Sequence, residues 1–171
     1  MNKERIKSAV FGHYRFFKFL SNTYNFLLPK NRLRVNGLVF SSGVTVLNGL
    51  KIINKGVGNS VRLGDFVRMK NCKIIIYGNN NSIALSDYTF FNDVEFYLEN
   101  DGNCISIGDH TSLCGSTHLA AIEGTKICIG KNCLFSSDLH FRTRDSHSIL
   151  DSEGRRINPS EDIVIDDHVW L

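Results

Sequence analysis

The chain has 171 residues, 42% hydrophobic and 22% charged, with a formal net charge of +3. That length and balance suit one globular domain with a real core and exclude wholesale disorder. No run of about 18 uncharged apolar residues occurs, and two prolines stand against 14 glycines, so a transmembrane span and a collagen-like or proline-rich chain are excluded.

The small net charge hides an asymmetry. Residues 1–34 hold eight lysines and arginines against Glu4 alone, a local +7, so the remainder carries −4. Basic character therefore belongs to a leader and not to the domain behind it. An acidic domain argues against a nucleic-acid partner, which needs a basic face on the domain itself. Residues 4–28 predict a helix, because Ile6, Val10, Phe17, Leu20, Tyr24 and Leu27 recur at helical spacing and Pro29 closes the segment. A basic, aromatic, amphipathic helix has two roles open to it. It packs on the domain as an end cap, or it makes peripheral contact with an anionic membrane surface.

Near residue 35 the pattern changes to short β-type runs punctuated by Gly and Asn. Four stretches begin 22 residues apart: Asn59-Ser-Val-Arg-Leu-Gly64, Asn81-Ser-Ile-Ala-Leu-Ser86, Asn103-Cys-Ile-Ser-Ile-Gly108 and Thr125-Lys-Ile-Cys-Ile-Gly130. A fifth copy, Glu161-Asp-Ile-Val-Ile-Asp166, follows after 36. Each copy holds an apolar pair two residues apart, such as Val61/Leu63 or Ile105/Ile107. Period two puts both members on one face. If each repeat is one coil, the pairs stack and fill an interior column. Gly64, Gly108 and Gly130 are expected where the chain turns a corner. Gly78, Gly102 and Gly124, with Asn79, Asn80 and Asp101, mark a second corner. The expected architecture is a β-solenoid over 35–171 behind an N-terminal basic helix over 1–34. An antiparallel sandwich of similar strand spacing is the competing arrangement.

Between the fourth and fifth copies lies a polar stretch, about 145–159. It is expected to project as a loop from one corner, where a rigid scaffold commonly carries its chemistry. The five cysteines, at 72, 104, 114, 128 and 133, are odd in number and form no CxxC pair. Neither a zinc site nor a disulfide framework fits, and reduced thiols without a recognisable secretory signal lead to a cytoplasmic expectation.

The units Leu63-Gly64, Ile107-Gly108 and Ile129-Gly130 resemble the hexapeptide-repeat acyltransferases, whose fold is a left-handed parallel β-helix. Four further segments resemble the branch that O-acetylates cell-surface polysaccharides: Phe135-Ser-Ser-Asp138, Arg142-Thr-Arg-Asp-Ser-His-Ser-Ile149, Arg156-Ile-Asn-Pro159 and Ile165-Asp-Asp-His-Val-Trp-Leu171. The likeness covers 59–171, and the specific motifs cover 135–171. Ser86 and Asp166 depart from it by replacing the glycine of the unit. The sequence stops at Leu171 inside a coil, so a solenoid truncated at its C-terminal end is expected.

The resemblance implies acetyl-CoA as co-substrate, no metal, a saccharide hydroxyl as acceptor, and a homotrimer with active sites between subunits. It implies His147 as general base, for which a side chain titrating near neutrality is suited. Trp170 would lie beside coenzyme A. A carboxylate would orient the imidazole, with Glu123, Asp138 and Asp145 all open. Arg144, Ser146 and Arg156 fall on the acceptor side. No activated nucleophile is evident, so transfer is expected to be direct. His140 alternates with Phe141 in a strand-like run and reads as structural. His110, His118 and His168 fall near coil corners and lack the tight His-x-x-x-x-His pair of the solenoid carbonic anhydrases. An amino-sugar N-acetyltransferase and a non-catalytic solenoid subunit are the alternatives.

Overall fold

The computed structural model describes residues 3–33, 35–145 and 147–171, with side chains from residue 13 onward. Ser146, expected on the acceptor side, lies outside the described residues.

From Arg32 the chain winds into a parallel β-solenoid in which each coil contributes to three sheets. The first sheet runs from Arg32–Leu33 to Leu139–Arg142, the second from Leu38–Ser42 to Ile163–Ile165, and the third from Val46–Asn48 to Leu134–Phe135. The sequence repeat is the coil. Val61 registers with Ile83, Ile83 with Ile105, Ile105 with Ile127 and Ile127 with Ile163. Every pairing between these strands is parallel, which excludes the sandwich.

The interior follows from period-two alternation. Val61, Leu63, Ile83, Leu85, Ile105, Ile107, Ile127 and Ile129 are all 4% exposed or less. Phe91, Phe96 and Phe135 fill the space between the sheets at 0% exposure. Full burial of each such side chain is worth roughly 1.5–3 kcal/mol. Ile163 and Ile165, in the last coil, are only half-buried against the column.

The corners differ from expectation. Gly64, Gly108 and Gly130 do not adopt the left-handed conformation. They are glycines because successive coils touch there. A Cβ on Gly108 would stand 2.7 Å from the carbonyl carbon of Gly130 in the next coil. The positive φ falls two residues later, on Phe66, Tyr88, His110, Asn132 and His168, at 55–63°. These side chains also stack: the rings of Phe66 and Tyr88 are 4.9 Å apart, and those of Tyr88 and His110 are 4.8 Å apart. A third corner, unseen in the sequence, carries Gly49, Asn71, Asp93 and Asp138 at positive φ.

Polar ladders hold the corners. Asn59, Asn81 and Asn103 are 0–1% exposed. Asn59 Oδ1 accepts from the amide of Asn81 at 2.8 Å, and Asn81 Oδ1 accepts from the amide of Asn103 at 2.8 Å. Asn103 Oδ1 accepts from the amide of Thr125 at 3.1 Å. Their Nδ2 groups donate to corner carbonyls of Gly78, Asn100 and Glu99 at 2.8–2.9 Å. Aspartates repeat the device at another corner, where Asp87 Oδ1 takes the amide of Asp65 at 2.7 Å and Asp167 Oδ1 takes that of Lys131 at 2.8 Å.

A helix, α1 (Lys3–Leu27), precedes the solenoid. It is docked by polar side chains. Asn25, 2% exposed, donates to the Thr45 carbonyl at 3.0 Å and accepts from the amide of Leu47 at 2.9 Å. Ser21 Oγ bonds both the Thr45 carbonyl and the Thr45 amide, at 2.6 and 2.9 Å. Asn31, just after the helix, accepts from the amide of Leu50 at 2.9 Å and donates to the Leu47 carbonyl at 3.0 Å. These side chains satisfy first-coil backbone groups that have no earlier coil to pair with. The end-cap role therefore has a physical basis.

Asn81→Ala should destabilise the solenoid by about 1–3 kcal/mol, because it leaves the buried amide of Asn103 unpaired. Urea denaturation with unchanged slope checks it. Val57→Ala, at an exposed corner position, should change stability by less than about 0.5 kcal/mol.

Candidate active site

The long step between the fourth and fifth repeats is a loop, as the spacing predicts. It leaves the first sheet after Arg142 and rejoins the second at Ile163. Its neck is closed by the amide of Glu161 donating to the Thr143 carbonyl at 3.2 Å. Thr143, 6% exposed, continues the corner ladder: its Oγ1 accepts from the amide of Ile122 at 2.9 Å and lies 2.7 Å from Thr125 Oγ1. Beyond the neck the loop folds on itself. Leu150 and Arg156 form an antiparallel bridge, and the amide of Ile157 donates to Ile149 at 2.8 Å.

Glu123 anchors this loop to the preceding coil. Its carboxylate lies 2.9 Å from Arg144 Nη1, 2.8 Å from Arg156 Nη1 and 2.6 Å from Ser160 Oγ. The Ser160 hydrogen bond, followed by that of Arg156, holds the Glu123 carboxyl below its ordinary value. Glu123 does this from the left-handed region, at φ 63°. That conformation is costly for a glutamate, and three partners hold it. Two guanidinium groups meet one carboxylate here. Among the described residues, Arg144 Nε and Arg156 Nη2 are buried without an acceptor.

His147 is exposed, on the ascending arm of the loop. Asn158 fixes its backbone. Nδ2 of Asn158 donates to the His147 carbonyl at 2.9 Å and contacts Asp145 Oδ2 at 3.3 Å, and its Oδ1 accepts from the amide of Ile149 at 2.7 Å. Of the three candidate carboxylates, Asp145 thus shares a partner with His147. No hydrogen bond joins Glu123 to His147 among the described residues. Asp138 sits at the other end of the strand Leu139–Arg142, exposed at the third corner. Asn158 and Ser160 were missed as organisers of the loop. Asn158 stands inside the Arg-Ile-Asn-Pro motif, but only the folded loop shows what it bonds.

Trp170 is 77% exposed and bridges to Leu134 on the third sheet. The loop leaves the corner between the first and second sheets, so one chain holds Trp170 and His147 on different sides of the solenoid. His140 is exposed on the outer face of the first sheet rather than buried, with its ring 5.9 Å from that of His118. His118 lies within the strand Thr117–Ile122, not at a corner. Its Nδ1 is 3.3 Å from Glu95 Oε1, and burial pushes its pKa down. Among the described residues, no group of three His, Cys, Asp or Glu side chains converges as a metal site would.

No family model matches the chain. Over 58 residues it is 40% identical to a polysialic acid O-acetyltransferase of Neisseria meningitidis, a stretch that covers 33% of this chain and 27% of that protein. The crystal structure of the polySia-specific acetyltransferase NeuO superposes with a TM-score of 0.58 and 26% identity, covering 71% of this chain and 60% of NeuO. The crystal structure of the polysialic acid O-acetyltransferase OatWY superposes with a TM-score of 0.56 and 26% identity, covering 79% of this chain and 64% of OatWY. The hexapeptide-repeat resemblance is borne out by these acetyltransferases. The chain spans less than two thirds of the length of each.

Glu123→Gln should loosen the loop without unfolding the solenoid. Trypsin should then cut faster after Arg155 while the β-sheet circular dichroism is unchanged. Because the Glu123 pKa is lowered on folding, its anchoring is fully present above the ordinary value of 4.5 and is lost as pH falls through the lower folded value. Protection against hydrogen exchange across 147–160, taken relative to the intrinsic amide rate at each pH, should therefore hold at pH 5 and fall only in more acid buffer.

Proposed function

We propose that this chain carries an acetyl-CoA-dependent O-acetyltransferase activity. The acceptor is a hydroxyl of a surface polysaccharide or its precursor, met in the cytoplasm. The observation that carries the reading is the anchored loop. It presents His147 from one corner of a solenoid of the kind seen in NeuO and OatWY. His147 takes the acceptor proton as the sugar oxygen attacks the thioester carbonyl carbon. The carbon–sulfur bond then breaks, and the imidazolium returns the proton to the coenzyme A sulfur. Transfer is direct, with no acyl-enzyme. Asp145 is the carboxylate that orients His147, while Glu123 is a positioning residue acting through Arg144, Arg156 and Ser160.

Two observations refine the proposal. His147 and Trp170 occupy different sides of one solenoid. A homotrimer, in which the loop of one subunit faces the Trp170 sheet of the next, brings them together. The relatives act on polysialic acid, an acidic polymer, and the two half-buried guanidinium groups of Arg144 and Arg156 exceed the single charge of Glu123. That surplus positive charge suits an acidic saccharide.

His147→Ala should lower acetyl transfer by about 10²–10⁴-fold and leave coenzyme A binding intact. Released coenzyme A is measured with polysialic acid, neutral polysaccharides and amino sugars as acceptors. Unchanged turnover in the variant overturns the assignment of the base, and preference for amino sugars overturns O-transfer. Coenzyme A titration should change tryptophan fluorescence saturably, since Trp170 is the single tryptophan, and Trp170→Phe should abolish the signal.

A further inference from the structure

Between residues 13 and 27, the helix α1 turns its apolar side away from the protein. At 100° per residue, Tyr14, Ser21, Asn22 and Asn25 share one side of the helix. All four hydrogen-bond to the solenoid: Tyr14 to Asp65 at 2.8 Å, Asn22 to Ser42 at 2.9 Å, and the other two to Thr45 and Leu47. The rest of the helix surface carries Phe16, Phe17, Phe19, Tyr24, Phe26 and Leu27, each 56–72% exposed. A helix that merely capped the core would bury this stripe and leave its amides and hydroxyls in water. Here the arrangement is reversed.

Charge decides what covers the aromatic side. Arg15, Lys30 and Arg32 are exposed beside it and Lys18 is half-buried, while Glu4 is the only acid in residues 1–34. A second copy would bring one basic leader against another. An anionic bilayer takes up both the rings and the cations. Apolar surface also persists at this end of the solenoid, where an open groove of about 400 Å³ between helix and first coil is lined by Phe26, Leu33, Val35 and Phe40.

We propose that the outer face of α1 is a peripheral docking surface for an anionic lipid bilayer. The helix lies flat between the first coil and the lipid, giving its polar side to the protein and its aromatic side to the membrane. With about 10 Å for the intervening helix and about 4.8 Å for each of the five steps from Arg32–Leu33 to Leu139–Arg142, the loop carrying His147 stands roughly 30–35 Å above the headgroups. The surface does not depend on the acetyl-transfer reading.

The test is sedimentation of the full chain with vesicles of phosphatidylcholine alone, or with one third phosphatidylglycerol. Binding to the anionic vesicles should exceed binding to the neutral ones on the order of tenfold or more and weaken with added salt. The double variant Phe19→Glu/Phe26→Glu, at exposed positions, should keep the β-sheet spectrum and lose vesicle binding. Arg15→Gln/Lys30→Gln should remove the preference for anionic lipid. Equal or absent binding to both vesicles overturns the proposal. So does a wild-type self-association, seen by analytical ultracentrifugation, that the double glutamate variant abolishes while vesicle binding is unaffected.

Discussion

Every backbone amide and carbonyl in a coil must find its partner in a neighbouring coil, and the rest of the structure depends on keeping those neighbours in step. A parallel stack has no hairpin to set its register. Here register is set at the corners, where buried Asn59, Asn81 and Asn103 each reach one coil along to a backbone amide. A slip of one residue would turn the interior column outward and also strand these amides without partners. Interior apolar side chains supply the stabilisation, and the asparagines specify which arrangement receives it.

The candidate site grows from the end of that ladder. Asn103 hands over to Thr125, Thr125 meets Thr143, and Thr143 is the last residue before the loop departs. Glu123, one coil earlier on the same corner, holds two arginines and a serine of the loop. The projecting insertion is thus tied to the buried polar ladder of the scaffold. That is how an exposed loop can hold His147 in one place, since positioning depends on the groups behind a catalytic side chain as much as on the side chain itself.

The fold was legible because a solenoid writes its geometry into the sequence twice, as alternation within a strand and as recurrence between coils. Val61/Leu63 and its equivalents needed no knowledge of partners. The corners were harder. Gly64 reads as a turn glycine until the next coil is seen to press on it, and the left-handed position two residues on is held by Phe66 or Tyr88, which no turn rule singles out. The asparagine opening each repeat was visible, but its function exists only between coils. Residues of the site were legible unevenly. The loop was read from spacing and His147 from resemblance to a family, whereas the contacts of Glu123 span 21–37 residues and leave no local mark. The helix was legible, but its orientation was left open, because periodicity shows that a stripe exists without showing which side the protein keeps.

The closed neck of the loop has a consequence for how such a protein changes. The fourth and fifth repeats stay in register across a step of 36 residues as they would across 22. The stack does not sense what lies between Thr143 and Glu161. Insertions, deletions or wholesale exchange of that segment leave the scaffold's accounts undisturbed, so descendants of one solenoid can diverge in what they recognise while inheriting the same frame. Only the few residues that grip the frame, Glu123 and its three partners, constrain what a replacement segment must bring with it.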